Sequence, residues 1–569
     1  MPRNQPQVAR GRRLDVDADH PHYKWVALSN TTLGVLMATV NSSIVIISLP
    51  DIFRGIGLNP LEPGNVGYLL WMLMGFLVVT AVLVVTLGRL GDMYGRVRIY
   101  NLGFVVFTAS SVALVVDPST GGAGALWLIL WRVVQGVGAS MLFANSTAIL
   151  TDAFPPHRRG FALGINQVAA IGGSFIGLIV GGVLAPVDWR LVFGVSVPLG
   201  LLGTVWSYRS LRETAARSRA RVDWWGNALF AVGLTVLLAA ITYGIQPYGS
   251  HTMGWTSPLV LAGLVSGVVL LVVFCVVETR IAEPMFEMAL FRIRPFSAGN
   301  LAGLLASMGR GGLQFMLIIW LQGIWLPLHG YSFAQTPLWA GIFLLPLTVS
   351  FLVAGPLCGY LSDRFGARFF ATGGLVVVAL SLLGLMLLPT DFSYGAFAAL
   401  LVVNGIGSGM FSAPNTTAIM NSVPASRRGA ASGMRGTFFN AGSSLSIGIF
   451  FSMMIIGLAA TLPRTLTAGL EQHGVPAGVA TGVGNAPPVA SLFAAFLGYN
   501  PIGTLLGSVP RSQLQGADLA TLTSKGYFPS LISGPFHHGL AIVFVVAIAM
   551  SLVGAVASLM RGARYIHVD

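Results

Sequence analysis

Apolar runs of about 20 residues, the length a helix needs to cross a bilayer core of roughly 30 Å, recur along the whole chain with short polar stretches between them. The first group occupies 25–48, 66–87, 99–116, 125–150, 161–184 and 191–206. A pair follows at 225–243 and 259–277, and the last group lies at 298–320, 339–361, 370–388, 397–420, 430–458 and 539–560. The pattern therefore predicts fourteen spans, an even number that leaves both ends on one side. The stretch 459–535 is long, poor in charge and rich in Gly, Ala, Pro and Leu, and is expected outside the cytoplasm. Its apolar part, 489–499, has roughly half the length needed to cross, so it reads as an interfacial or loop-packed helix and not as a fifteenth span.

Composition agrees with this pattern. Of 569 residues, 54% are hydrophobic and 9% charged, which excludes a soluble globular protein of ordinary make-up. The net charge of +13 would suit nucleic acid, but the basic residues sit in short loops beside the apolar runs. Arg96, Arg98, Arg158, Arg159, Arg209, Arg212, Arg292, Arg294, Arg364, Arg368, Arg427, Arg428, Arg561 and Arg564 fall on one side, and Arg54, Arg190, Arg464, Arg511 and Lys525 on the other. By the positive-inside rule the first side is the cytoplasm, which places both termini there. The polar stretch 1–24 has no small-residue cleavage site, so the first span reads as retained. Cys275 and Cys358 lie within apolar runs, where packing is the default role. The histidines are scattered apart from His537 and His538, which read as interfacial, and no metal-ligand spacing, phosphate loop or nucleophile elbow occurs in a supporting context. The sequence thus predicts neither an enzyme nor a cofactor or metal.

One stretch is written twice. Gly88-Arg89-Leu90-Gly91-Asp92-Met93-Tyr94-Gly95-Arg96 returns as Gly359-Tyr360-Leu361-Ser362-Asp363-Arg364-Phe365-Gly366-Ala367-Arg368, each copy closing a long apolar run. Gly136, Gly138, Met141, Arg158, Arg159, Gly160 and Gly164 recur at one constant interval as Gly405, Gly407, Met410, Arg427, Arg428, Gly429 and Gly433. A six-helix unit is therefore repeated around an inserted pair, and repeats of this kind put a substrate site at their interface near mid-membrane.

The doubled loop resembles the signature of the major facilitator superfamily. Leu128 to Ala139, with Arg132, Gln135, Gly136 and Gly138, is similar to that family's L-x-x-x-R-x-x-Q-G-x-G-A helix, whose arginine is implicated in proton coupling. The stripe Gly173, Gly177, Gly181 and Gly182 resembles the exporter motif G-x-x-x-G-P-x-x-G-G with Leu178 in place of proline, and reads equally as a plain packing face. The segment from Asn41 to Pro50 aligns with the first-helix motif D-x-T-I-V-N-V-A-L-P of the fourteen-helix multidrug-exporter branch, as do Asp188-Trp189-Arg190 and Leu321-Gln322 with theirs. Asn41 stands where that branch carries a membrane-embedded aspartate, and an amide cannot carry a proton.

The resemblance implies an all-α polytopic membrane protein of the major facilitator fold: a cytoplasmic tail 1–24, a six-helix bundle 25–210, an inserted helix pair 222–280, a second bundle 296–560 including 459–535, and a tail 561–569. It implies a secondary exporter of amphiphilic small molecules in the plasma (inner) membrane, with membrane lipid, the substrate and protons as partners and no nucleic acid. Asn41, Arg132, Gln135, Arg310 and Gln322 are the candidate cavity residues. The gating motif comprises Gly88, Asp92, Gly95, Arg96, Gly359, Asp363, Gly366 and Arg368, with Asp92 expected near 430–433 and Asp363 near 160–164. An ion-independent facilitator or importer, and a non-transporting receptor or scaffold, remain as alternatives.

Overall fold

The computed structural model describes residues 22–561 except 60, 61, 63, 156–158, 214–222, 250, 252, 425, 426, 499, 508, 511–513, 515 and 525. The expectations for the tails 1–21 and 562–569, and for Arg158, Arg511 and Lys525, lie outside the described residues. Among the described residues fourteen helices are long and apolar enough to cross a membrane. Spans 1 to 6 are Tyr23–Gly55, Asn65–Tyr94, Arg96–Val115, Gly121–Ala153, Ala162–Leu184 and Leu191–Ser210. Spans 7 and 8 are Trp224–Gly244 and Pro258–Glu278. Spans 9 to 14 are Arg294–Leu328, Thr336–Ser362, Ala367–Met386, Tyr394–Asn421, Ala430–Gln472 and Tyr527–Leu559. A helix satisfies its own backbone polar groups, which is why it is the form such apolar segments take where water is absent.

The first six spans pack among themselves, chiefly 1 on 5, 3 on 4, 2 on 4 and 3 on 6, and the last six do likewise, chiefly 10 on 12, 11 on 12, 9 on 13 and 11 on 14. The two groups meet along two principal seams, span 2 with span 13 and span 5 with span 10. Spans 7 and 8 pack on each other, and span 7 lies against both 2 and 13, strapping that seam. Span 8, the most apolar with a mean hydropathy of 3.0, is only 17% buried by protein and so presents itself to lipid. The doubled loops adopt one geometry. Gly95 and Gly366 end spans 2 and 10 at φ +115° and +93°, a region that favours glycine, and each amide returns 2.8 Å to the carbonyl four residues earlier.

The structure departs from the apolar pattern in four places. Span 9 runs through a π turn, Leu321–Trp325, beyond the expected end at 320. Spans 6 and 10 are broken near their N-terminal ends, at Val195 and Leu344. The segment 459–535 is largely helical at its edges, because span 13 continues to Gln472 and span 14 begins at Tyr527. These extensions pack on each other, Gly469 against Leu531 with the Tyr527 hydroxyl donating to the Gly469 carbonyl at 2.8 Å, so they need no apolar run to persist. Between them Ala477–Gly484 and Pro488–Phe496 meet at 80°. Pro488–Phe496 is wholly buried, with Phe493 stacked on Phe451 and Phe496 edge-on to Phe315. Nine residues rise roughly 13 Å, so this is a loop-packed half-helix.

Backbone approach decides how tightly spans 1 and 5 meet. A Cβ built on Gly177 would lie 2.4 Å from the Val40 carbonyl oxygen and 2.1 Å from the Ser43 hydroxyl, and one on Gly173 would lie 3.0 Å from the Leu36 carbonyl oxygen. Gly181 meets Ile44 and Ile47 in the same way, whereas Gly182 turns to the backbone of Leu338 across the 5/10 seam. Gly177→Ala should therefore cost about 1–3 kcal/mol by overpacking against backbone that cannot yield. Gly172→Ala, where a Cβ meets nothing within 4 Å, should be neutral or stabilising. Thermal unfolding of the detergent-purified variants checks this, and equal melting temperatures would remove the close-packing account.

Candidate functional site

Arg132 is 1% exposed, near the middle of span 4, and five spans converge on it. Its Nη1 donates to Oδ1 of Asn41 and, at 2.8 Å, to Oε1 of Gln135, and its Nε reaches the Met72 carbonyl at 3.4 Å. The Phe76 ring lies 4.4 Å from the guanidinium carbon. The amides are anchored in turn: Asn41 Nδ2 donates to Ser196 at 3.2 Å and Gln135 Nε2 to Ser111 at 2.9 Å. Spans 1, 2, 3, 4 and 6 thus surround a cation that costs at least about 2.5–3.5 kcal/mol to place at mid-membrane. Dipoles offset this, and no carboxylate contributes. Asn41 and Gln135 are fully buried, so this network is closed off from any cavity in the present conformation.

Among the last six spans the counterpart is different. Asn404 stands at the interval that separates Gly136 from Gly405, and its Nδ2 donates to Ser381 at 2.8 Å as Gln135 does to Ser111. The interval carries Arg132 onto Leu401, however, so no arginine occupies that place. Instead Arg310 of span 9 and Arg435 of span 13 line a cavity of about 80 Å³ together with Asn404, Asn415, Thr416 and Phe351. Arg310 stacks over the Phe351 ring at 4.3 Å, and Arg435 Nη1 reaches the Thr416 hydroxyl at 3.4 Å. Behind the wall Arg561, 5% exposed, donates to Oδ1 of Asn415. Arg435, Asn404 and Asn415 escaped the sequence reading; the repeat interval flags Asn404, whereas nothing local distinguishes Arg435 from a loop arginine.

Gln322 lies in the π turn of span 9 and donates from Nε2 to the Ile47 carbonyl of span 1 at 3.2 Å, bridging the first and last six spans. Of the loop residues, Gly88 and Gly359 face Ala144 and Ala413, a matched pair of contacts. Asp92 accepts from Arg96 Nε at 2.7 Å, and Arg96 Nη1 also donates to Asp152 at 2.6 Å. Among the described residues this is Asp92's partner, within its own six spans. The pair is partly exposed and spans one helical turn, so it contributes about 0.3–0.5 kcal/mol. Arg368 is exposed, and the carboxylate of Asp363 and the side chains at 156–161 lie outside the described groups. Arg89 makes the crossing contact, from its guanidinium to the carbonyls of Glu283 and Pro284 ahead of span 9.

Beside that crossing lie two buried acids, Asp223 at 6% and Glu278 at 2% exposure, whose carboxylate oxygens both crowd Gly226. Asp223 caps span 7 through the Gly226 amide at 2.7 Å and receives the Met285 amide at 3.3 Å, while Glu278 receives the Phe286 amide at 2.7 Å. On the opposite face burial pushes the Asp117 carboxyl up from its ordinary value, countered by the Ser119 amide at 2.9 Å and by Arg190. Among the described residues no group of three or more His, Cys, Asp or Glu could hold a metal ion.

The family model of the Major Facilitator Superfamily matches residues 31–310 and 284–447. The tetracenomycin C resistance and export protein of Streptomyces glaucescens is 27% identical over 538 residues, 94% of this chain and 91% of its own. The multidrug resistance protein Stp of Mycobacterium tuberculosis is 30% identical over 443 residues, 77% of each chain. In fold the chain is similar to a bacterial homologue of the human lysosomal transporter Spinster, solved inward-facing and occupied, with a TM-score of 0.55 and 18% identity over 96% of this chain and 98% of that one. With fourteen membrane-length helices, a doubled signature loop and a family model that spans most of its length, the protein is a membrane transporter of the major facilitator superfamily.

Proposed function

We propose that this protein exports amphiphilic small molecules by opening a central path alternately to the two sides of the membrane. On this reading 25–210 and 296–560 are bundles that rock against each other, 222–280 is a strap between them, and both termini are cytoplasmic. The observation that supports it is the pair of seams, 2 with 13 and 5 with 10, along which the two groups of six spans meet. Relatives named for resistance and export point the same way. Asn41, Arg132 and Gln135 form the first bundle's wall of the path and Arg310 the second's, with Gln322 as a latch that breaks when the bundles separate. The glycines of span 5 let that helix tilt on span 1, and the two signature loops gate the cytoplasmic side.

Since Asn41 cannot take a proton, coupling falls to another acid. Asp223 and Glu278 are buried acids, and they hold the amides of Met285 and Phe286, whose neighbours Glu283 and Pro284 are gripped by Arg89 of the signature loop. A change of charge there acts on the segment that joins the strap to the second bundle.

Inside-out vesicles containing the protein should accumulate a fluorescent amphiphile above its outside concentration when a pH gradient is imposed. Their orientation is scored with an impermeant thiol reagent at a cysteine replacing Ala520 in a background lacking Cys275 and Cys358. Uptake that stops at equal concentrations would favour a facilitator, and none at all a receptor. Arg132→Ala strands the acceptors of Asn41 and Gln135 at about 1–3 kcal/mol each and should lower transport by about tenfold or more. Asn41→Asp supplies the missing carboxylate, pins the guanidinium and should also slow export; undiminished rates in that variant would take Arg132 out of the path. Glu278→Gln should abolish the response to the pH gradient while counterflow of substrate persists, and retention of the gradient response would move coupling elsewhere.

A further inference from the structure

Arg310 and Arg435 line one cavity, Arg561 lies behind its wall on Asn415, and among the described residues none of the three has an ion-pair partner. Among the described residues no Asp or Glu lines the cavity. Arg435 Nε is buried without a hydrogen-bond partner, as are Nε and Nη1 of Arg561. The contrast with Arg132 is direct: there two amides and a carbonyl receive the guanidinium, whereas here Arg310 has a ring face and Arg435 a single hydroxyl at 3.4 Å. Cations held together in an apolar interior repel each other and lose hydration, and an unpaired one is costly. The neutral side chains between them, Asn404, Asn415 and Thr416, offer both donors and acceptors but no charge.

We propose that this cavity binds the anionic head of an organic amphiphile, a carboxylate, sulfonate or phosphate ester, between Arg310 and Arg435. The volume sets the size of the group: about 80 Å³ is far short of the roughly 300 Å³ at which drug-sized pockets begin, so a head group enters and a whole amphiphile does not. Apolar walls from Leu313, Phe411 and Phe438 keep water from screening the charges, which strengthens the attraction. That the head belongs to an amphiphile and not to a free ion rests on the export reading above. A lipid phosphate and inorganic phosphate share the same oxyanion chemistry, and the test separates them.

The full-length protein in phosphatidylcholine nanodiscs is titrated with dansyl-labelled undecanoic acid and with its primary amide. The wild type should bind the acid about tenfold or more tightly than the amide, in line with a charge-assisted hydrogen bond. Arg310→Gln and Arg435→Gln should each lose most of this preference, and Arg435→Lys should keep part of it. The melting temperatures of the empty Gln variants should not fall, since an unpaired cation has been removed; a fall in both, with the preference intact, would make the arginines structural. Equal affinity of the wild type for acid and amide would overturn the proposal. Displacement of the acid by inorganic phosphate at the acid's own affinity would overturn the amphiphile, and displacement by phosphatidylglycerol in the disc alone would assign the cavity to a lipid. The readout is binding without transport, so failure of export leaves it standing and its failure leaves export standing.

Discussion

Apolar side chains gain little by leaving lipid for one another, so helices inside a bilayer are held by close backbone approach and by polar groups that pair. Both devices recur throughout this protein. A Cβ on Gly138 would lie 3.0 Å from the Gly103 carbonyl of span 3, and one on Gly407 would lie 2.8 Å from the Gly374 carbonyl of span 11. These are the same contact made twice, as are Gly88 on Ala144 and Gly359 on Ala413. Glycine is conserved between the repeats where backbones touch, because any side chain there would hold the helices apart.

The framework is symmetric and the charge placed in it is not. The first six spans surround Arg132 with amides and leave no room beside it, whereas the last six hold their arginines around an open space. Duplication supplies the scaffold, including Gln135 on Ser111 and Asn404 on Ser381. Divergence in the side chains that face inward then gives the two sets of helices different electrostatic roles, which is how a pseudo-symmetric transporter can present unlike walls to one substrate.

The seam between spans 2 and 13 carries more than packing. Span 7 lies along it, with Thr86 of span 2 donating to Asn227 and Gly448 of span 13 resting on Ile241. At its end the Asp223 and Glu278 pair, Arg89 and the stretch 283–286 form one polar knot that ties the signature loop, the strap and the start of span 9 together. The buried half-helix Pro488–Phe496 packs on spans 2, 9, 13 and 14, so a connection that lies far from the strap in sequence helps close the same seam.

The sequence by itself determined the number of spans, the repeat, the doubled loop and the superfamily, because each depends on local chemistry: run length against bilayer thickness, and glycine where φ is positive. It could not show that spans 13 and 14 extend together to Gln472 and from Tyr527, because those turns are stabilised by each other and not by their own apolarity. Nor could it show that Arg435 joins Arg310 around a cavity, or that Asp223 and Glu278 come together beside Gly226. Those groups are distant in the chain, and only the crossing of particular helices decides which buried charges meet and which are left without a partner.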